Sequence, residues 1–316
     1  MKLVLLEPLS ISSKLMEKYV HLFQEKGHEF VFYEKKAGGK ELKERCSDAD
    51  VLIVANMPLP SEIILACPRL KMISVAFTGV DHIGMDACKE REIIVSNSAG
   101  YSTHSVAELT FGLIFSVLRK LPGCDTLTRE GKTKDGMIGR ELYGKTLGII
   151  GTGAIGLKVA EIGRIFGCNV VAYSRTVREE GIKLGVKYLS LDELLTTSDI
   201  ITIHVPLTDE TRNLIDEKKL SLIKPTAILI NTARGPVIDN SALAQAIANK
   251  KIAGAGLDVF EIEPPLPLTH PLLNLPDVVV TPHIGYATQE AFERRAEIVF
   301  SNILAWMEGN PRNIVN

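Results

Sequence analysis

The chain has 316 residues, 46% of them hydrophobic and 23% charged, enough for two globular domains with buried cores. A formal net charge of -2 gives no electrostatic reason to bind nucleic acid or an acidic membrane surface. Five scattered cysteines (Cys46, Cys67, Cys88, Cys124, Cys168), odd in number and never in CxxC spacing, argue against a disulfide framework and a zinc site; no metal is expected, and reduced packing thiols in a cytoplasm are.

From the N-terminus, short apolar runs alternate with helix-period segments. They are Leu3 to Leu6, Lys14 to Lys26, Phe30 to Tyr33, Val51 to Ala55, Met72 to Ala76 and Ile93 to Ser96. The first run is stopped by Glu7-Pro8 and is too short for a signal or a membrane span, so it reads as a buried strand. The alternation implies a mostly parallel sheet. A longer helix-period stretch, Thr103 to Arg119, bridges to a second region.

There the strand-like Thr146 to Ile150 runs into Gly151-Thr152-Gly153-Ala154-Ile155-Gly156, followed by helix-period residues Leu157 to Phe166. This is the order of a dinucleotide-binding turn. The first glycine permits the tight turn, the second lets backbone N–H groups approach a pyrophosphate, and the third allows close packing of helix on strand. Asn169 to Tyr173, Ile200 to His204, Ala227 to Asn231, Ala255 to Val259 and Val278 to Thr281 supply later strands of one doubly wound sheet. Helical periodicity from Thr288 to Met307 suits a return to the first domain. The expected domains are 1–99 with 288–316, and 100–287, with a cleft between them.

At the end of the second strand after the glycines, an NAD site would carry an acid for the ribose 2′-OH. Here the residues are Ser174, Arg175 and Thr176, with Arg178 beyond. Two hydroxyls and a guanidinium suit a 2′-phosphate, so NADP is expected as the preferred cofactor, with NAD as the other candidate.

Arg234, Glu263 and His283 stand at strand ends or in the loops just beyond, on the side of the sheet where ligands bind. Taken singly, Arg234 reads as a bidentate hold on a small carboxylate or as a surface ion pair, Glu263 as a solvated loop acid and His283 as a packed or exposed residue. With their surroundings they resemble the D-2-hydroxyacid dehydrogenase family. The resemblance spans Tyr101-Ser102-Thr103 to Val106-Ala107-Glu108, the glycine turn, His204-Val205-Pro206-Leu207, Asn231-Thr232-Ala233-Arg234-Gly235, Gly256-Leu257-Asp258-Val259-Phe260, Glu263-Pro264 and Thr281-Pro282-His283-Ile284-Gly285.

What the resemblance implies is an α/β protein of two Rossmann-like domains, a flavodoxin-like substrate domain and a doubly wound dinucleotide-binding domain. It would move a hydride between nicotinamide and a small 2-oxo acid. The residue matching His283 would exchange the proton, the one matching Glu263 would hydrogen-bond that histidine, and Arg234 would hold the carboxylate and polarise the carbonyl. Cofactor contacts are expected at Gly151, Thr152, Gly153, Ala154, Ile155, Gly156, Ser174, Arg175, Thr176, His204, Val205, Pro206, Thr211, Thr232, Ala233, Asp258 and Gly285, with Asp258 on the nicotinamide carboxamide. Val75, Ala76, Phe77, Thr78 and Gly79 would complete the carboxylate pocket. Phe77 and Tyr101 would either line it or serve as core aromatics.

The loop before Gly79-Val80-Asp81 lacks an arginine for a substrate phosphate, and no regulatory domain is expected beyond the two, which disfavours a phosphoglycerate dehydrogenase. Glyoxylate, hydroxypyruvate or phenylpyruvate fits better. A non-catalytic, nicotinamide-gated binding protein resembling corepressors, and a formate or phosphite dehydrogenase, are the other readings. A homodimer is expected by resemblance, through an arm at Arg119 to Tyr143 whose other reading is a long surface loop.

Overall fold

The computed structural model describes every residue except Glu263 and Pro264. The chain folds into two compact units, Met1–Ser102 with Ala287–Asn316, and Thr103–Tyr286.

In the first unit β1 (Lys2–Leu5), α1 (Ser13–Glu25), β2 (Glu29–Phe32), α2 (Gly39–Cys46), β3 (Val51–Val54), α3 (Ser61–Leu65), β4 (Met72–Val75), α4 (Met85–Glu90) and β5 (Ile94–Ser96) follow in turn. The strands make one parallel sheet in the order β2-β1-β3-β4-β5, the flavodoxin-like winding. Every residue of β3 and β4 is buried, as a sheet covered on both faces requires. Ser12 caps α1 by accepting from Leu15 N–H, and the helix lays Phe23 against Phe30 and Phe300. Phe300 comes from the C-terminal helix, which also accepts the buried Ser74 hydroxyl at Val299 O. That hydrogen bond lets a polar residue sit in the middle of β4.

The second unit opens with α5 (Thr103–Leu118) and α6 (Leu121–Arg129). It continues through β6 (Thr146–Ile150), α7 (Ala154–Ile165), β7 (Asn169–Tyr173), α8 (Glu179–Lys183), β8 (Lys187–Tyr188), α9 (Leu191–Thr197), β9 (Ile200–Ile203), α10 (Glu217–Leu220) and β10 (Ile228–Asn231). A 3-10 turn, Gly235–Val237, leads to α11 (Asn240–Ala248), β11 (Gly254–Leu257), a second 3-10 turn, Pro271–Asn274, and β12 (Val278–Val280); α12 (Gln289–Met307) is the C-terminal helix of the first unit. All seven strands are parallel, in the order β12-β11-β10-β9-β6-β7-β8. The winding reverses between β6 and β9, so a crevice opens beyond their carboxyl ends.

Three local expectations need correcting. Helix α7 starts at Ala154 rather than Leu157, because extended Gly153 already serves as its cap. The edge strand β8 was not foreseen; two residues with one exposed carry no periodic signal. The segment from Arg119 to Tyr143 begins as a helix rather than as a loop: α6 forms with Pro122 in its first turn and with no buried residue.

Candidate active site

The glycine turn meets the geometric demands of a pyrophosphate site. Gly151 has φ +98°, and a Cβ there would lie 2.6 Å from His204 O, so any side chain would be both strained and blocked. At Gly156 a Cβ would stand 2.0 Å from Gly151 O, which places the first turn of α7 directly on β6. No side chain caps α7, and its first N–H groups have no intrahelical partner, leaving an anion-binding end. Gly153 and Ala154 are exposed there, Ile155 is half-buried and Thr152 is buried. The residues present therefore fit a dinucleotide.

Two loops frame this turn. Tyr188, on β8, accepts from Arg178 N–H and donates to Thr152 Oγ1, both at 3.2 Å, joining the Ser174–Arg178 loop to the glycine turn. Arg175 and Thr176 are exposed and Ser174 is half-buried. Arg175 Nη1 pairs with Glu210 Oε2 at 2.7 Å, with both side chains 72% exposed. On the other side, His204, Val205 and Pro206 leave β9 against Gly151, and Thr211 donates to Pro206 O at 2.6 Å while accepting from Thr208 N–H. Thr211 thus staples its own loop. Burial depresses the His204 imidazole to a pKa of about 3, and its Nε2 is sealed with no partner among the described residues.

Arg234 follows β10 in a loop held by Asn231. The Asn231 side chain accepts from Ala233 N–H at 3.0 Å and donates to Arg234 O at 2.9 Å, an Asx-type turn that fixes the backbone under the guanidinium. Arg234 is half-buried, and its Nη1 donates to Ala233 O at 2.8 Å. Thr110 donates to Val106 O, so its 3.0 Å contact with Thr232 is a bond donated by Thr232. Gly235 then passes so close to the next strand connection that a Cβ would lie 1.8 Å from Phe260 C and O.

Asp258 links this loop to the one carrying His283. Its backbone N–H donates to Asn231 O, and its fully buried carboxylate accepts from Thr281 Oγ1 at 2.6 Å and from Ile284 and Gly285 N–H at 2.8 Å. Burial pushes this carboxyl above the ordinary carboxylate range, and the three bonds and nearby His283 pull it back only in part. His283 has φ +57°, the left-handed region, and its N–H donates to Asp258 O at 2.8 Å. That conformation costs an L-residue about 1–2 kcal/mol. The bonds that Asp258 accepts from Ile284, Gly285 and His283 N–H hold the loop in that conformation. The imidazole is half-buried and meets Tyr286 edge-on, with centroids 5.4 Å apart.

The structure thus puts the loops of Arg234, Asp258 and His283 side by side in one hydrogen-bonded network. Glu263, the expected partner of His283, lies outside the described residues. Sequence reasoning missed Asn231, Thr281, Tyr188 and Glu210. Only Asn231 carried a signal, as an Asn closing an apolar strand.

In the first unit, the carbonyls of Val75, Phe77 and Thr78 accept from Ser98 Oγ, Ser98 N–H and Asn97 Nδ2, which fixes the peptide planes from Val75 to Gly79. Ala76 N–H donates to Val54 O, Thr78 is exposed and Gly79 half-buried. Phe77 and Tyr101 are 7% and 1% exposed with centroids 6.3 Å apart, and Arg295 lies 5.8 Å over the Tyr101 ring. Both rings are buried.

Among the described residues no helix is long and apolar enough to cross a membrane, and no group of three His, Cys, Asp or Glu side chains is placed to hold a metal ion.

The family model for the NAD binding domain of D-isomer specific 2-hydroxyacid dehydrogenases matches residues 111–285. A glyoxylate reductase of Korarchaeum cryptofilum is 41% identical over 285 residues, 88% of this chain and 86% of that one. A D-3-phosphoglycerate dehydrogenase of Methanocaldococcus jannaschii is 40% identical over 282 residues, 88% of this chain but 53% of that protein. Among solved structures, an acyclic imino acid reductase in complex with NADPH and D-Arg covers both chains fully at TM-score 0.91 and 32% identity. A D-lactate dehydrogenase of Aquifex aeolicus complexed with NAD and lactic acid aligns at TM-score 0.85 and 33% identity, over 98% of this chain and 96% of that one. The glycine turn, the loops of Arg234 and His283 and these likenesses place the chain in the D-2-hydroxyacid dehydrogenase family, as an NAD(P)-dependent 2-hydroxyacid oxidoreductase.

Proposed function

We propose that this enzyme reduces a small unphosphorylated 2-oxo acid, glyoxylate or hydroxypyruvate, and prefers NADPH to NADH. The observation that carries the reading is His283, held in a left-handed conformation by Asp258 beside the Arg234 loop. An enzyme keeps such strain where a side chain must be aimed. Reduction needs a proton donor at the carbonyl oxygen and a cation at the carboxylate. His283 supplies the first and Arg234 the second, with Arg234 also stabilising the charge that develops on the carbonyl oxygen. Glu263 orients the imidazole. The bound nicotinamide supplies the hydride.

The cofactor preference rests on Ser174, Arg175 and Thr176, a strand end that carries no acid of its own. Glu210 competes for Arg175, but an exposed ion pair contributes only about 0–1 kcal/mol, so a doubly charged phosphate displaces it. Five unbridged thiols suit a reducing cytoplasm. A homodimer is supported by the exposed apolar residues Leu121, Ile138, Tyr143 and Ile165 of the second unit.

Initial rates of NADPH and NADH oxidation with glyoxylate, hydroxypyruvate, pyruvate and phenylpyruvate test the reading. Turnover of the first two, faster with NADPH, is expected. Tight cofactor binding without turnover of any of the four would overturn it.

A further inference from the structure

The loop that leaves β7 toward the proposed 2′-phosphate site has little of its own to hold it. From Ser174 to Val177 no backbone group makes a hydrogen bond among the described residues, and the Arg175–Glu210 pair joins two exposed side chains. At the near end Tyr173 O accepts from Gly151 N–H at 2.8 Å, and at the far end Arg178 O accepts from Ile182 N–H as α8 begins. The remaining tie is Tyr188. Its hydroxyl accepts from Arg178 N–H and donates to Thr152 Oγ1, both at 3.2 Å, so a single oxygen spans from the loop to the second residue of the glycine turn. Strand register sets that reach: Tyr188 stands opposite Ala172 on β7, and Leu189 N–H donates to Ala172 O at 2.8 Å. Gly181, buried in α8, makes room, since a Cβ there would meet the Tyr188 hydroxyl. Thr152 is buried, so no water replaces the tyrosine if it leaves.

We infer that the Tyr188 hydroxyl is a positioning group for cofactor choice. By tying Arg178 to Thr152 it fixes the spacing between the loop that carries Ser174, Arg175 and Thr176 and the turn that cradles the pyrophosphate. In a 2′-phosphorylated dinucleotide both anions hang from one ribose, so the two sites must keep one separation. A 2′-hydroxyl places no charge at the loop and makes no such demand. Holding the loop before the cofactor arrives removes part of the ordering cost of binding, and that saving falls on the phosphorylated cofactor. A role for the aromatic ring alone would survive in phenylalanine; only the hydroxyl reaches both partners. The inference rests on the reading of Ser174, Arg175 and Thr176 as the 2′-phosphate site.

The test is the affinity of the full-length enzyme, without substrate, for NADP+, NAD+ and adenosine 2′,5′-bisphosphate, measured by titration calorimetry. Tyr188→Phe is expected to raise the Kd for NADP+ and for the bisphosphate about five- to tenfold, and that for NAD+ by less than about twofold. In an Arg175→Ala background the same substitution should add less than about a twofold loss for NADP+, because the cation it positions is gone. An equal rise for NAD+ and NADP+ would overturn the inference by making Tyr188 a prop for the glycine turn, and no rise for either would overturn it outright. The full loss recurring in the Arg175→Ala background would overturn it as a device acting through Arg175. A parent enzyme that binds NAD+ as tightly as NADP+ would overturn the reading of the loop and the inference with it. Should Tyr188→Phe fail to fold, Gly181→Ala, which displaces the hydroxyl, enters the same cycle and is read in the same way.

Discussion

Asp258 bears the heaviest structural demand of any single residue near the reacting groups. Its carboxylate receives three donors, and asparagine offers one acceptor oxygen and an NH2 in its place. In Asp258→Asn at least one of Thr281, Ile284 and Gly285 loses its acceptor and faces a donor. The expected result is a loss of about 1–3 kcal/mol in unfolding free energy and a fall of tenfold or more in kcat, measured by urea titration and initial rates. Unchanged kcat would mean that the His283 loop holds its shape without the clasp. Glu210 offers a second residue-scale test, since it engages the guanidinium proposed for the 2′-phosphate. Glu210→Gln should lower the KM for NADPH by about two- to fivefold, consistent with an exposed pair of about 0–1 kcal/mol, and leave the KM for NADH in place. Arg175→Ala should raise the KM for NADPH selectively; an equal rise with NADH would assign Arg175 a structural role.

At the scale of elements, the site consists of strand connections pressed together, and small residues permit the contact. Gly235 has the backbone of Phe260 where its Cβ would be, and backbone cannot rotate away as a side chain can. Gly235→Ala must push the Arg234 loop from the β11 connection. A loss of about a hundredfold in kcat/KM is expected, together with about 1–3 kcal/mol of stability. Cofactor affinity, measured by NADPH fluorescence, should fall as well, because the expected cofactor contacts Thr232, Ala233 and Asp258 lie on the two connections that are pushed apart. Elements also explain which boundaries were legible. β7 runs from Asn169 to Tyr173 as read, because an apolar strand between Gly167 and the polar Ser174 has sharp edges. β8 was missed because its register against Val171 and Ala172 comes from the neighbouring strand and not from its own pattern. The start of α7 shifted because capping by an extended glycine leaves no side-chain signature.

At the scale of the whole molecule, two properties follow from what is sealed and what is left open. His204 is held neutral, with its pKa lowered from 6.5 to about 3. A depressed pKa in the folded state gives stability that is complete above pH 6.5 and is lost as the pH falls toward 3, by up to about 1.4 kcal/mol per unit. His204→Leu should therefore flatten the fall in unfolding free energy between pH 6.5 and pH 5 by about 1–2 kcal/mol relative to the parent. Parallel curves would show that this histidine already takes up its proton when folded. Asp258, raised above its ordinary 3.8, works the other way: its contribution is complete below that value and is lost as the pH rises through its folded pKa. On the outside, α6 buries no residue, while Leu121, Ile138, Tyr143 and Ile165 are 48%, 84%, 77% and 79% exposed. Exposed apolar side chains in such number on one unit suit an interface with a second copy. Light scattering should give twice the 34.6 kDa chain mass, and Ile138→Asp should shift it toward the monomer; a monomeric parent enzyme would leave these residues without that role.

The sequence by itself determined the periodicities, the glycine turn and the identity of Arg234 and His283 as groups worth watching. Each depends on local chemistry: alternation of buried and exposed positions, a backbone angle only glycine adopts readily, a cation or an imidazole at a strand end. The absence of an acid at Ser174–Thr176 was likewise legible, because it concerns one strand end and one charge. The tertiary structure alone decided how the loops are held. Asn231 under Arg234, Asp258 beneath His283 and Tyr188 against Thr152 join residues whose partners lie on other connections or across a turn of chain. No spacing rule marks such pairs, because a hydrogen bond is chosen by position in space, and only the folded sheet brings these positions together.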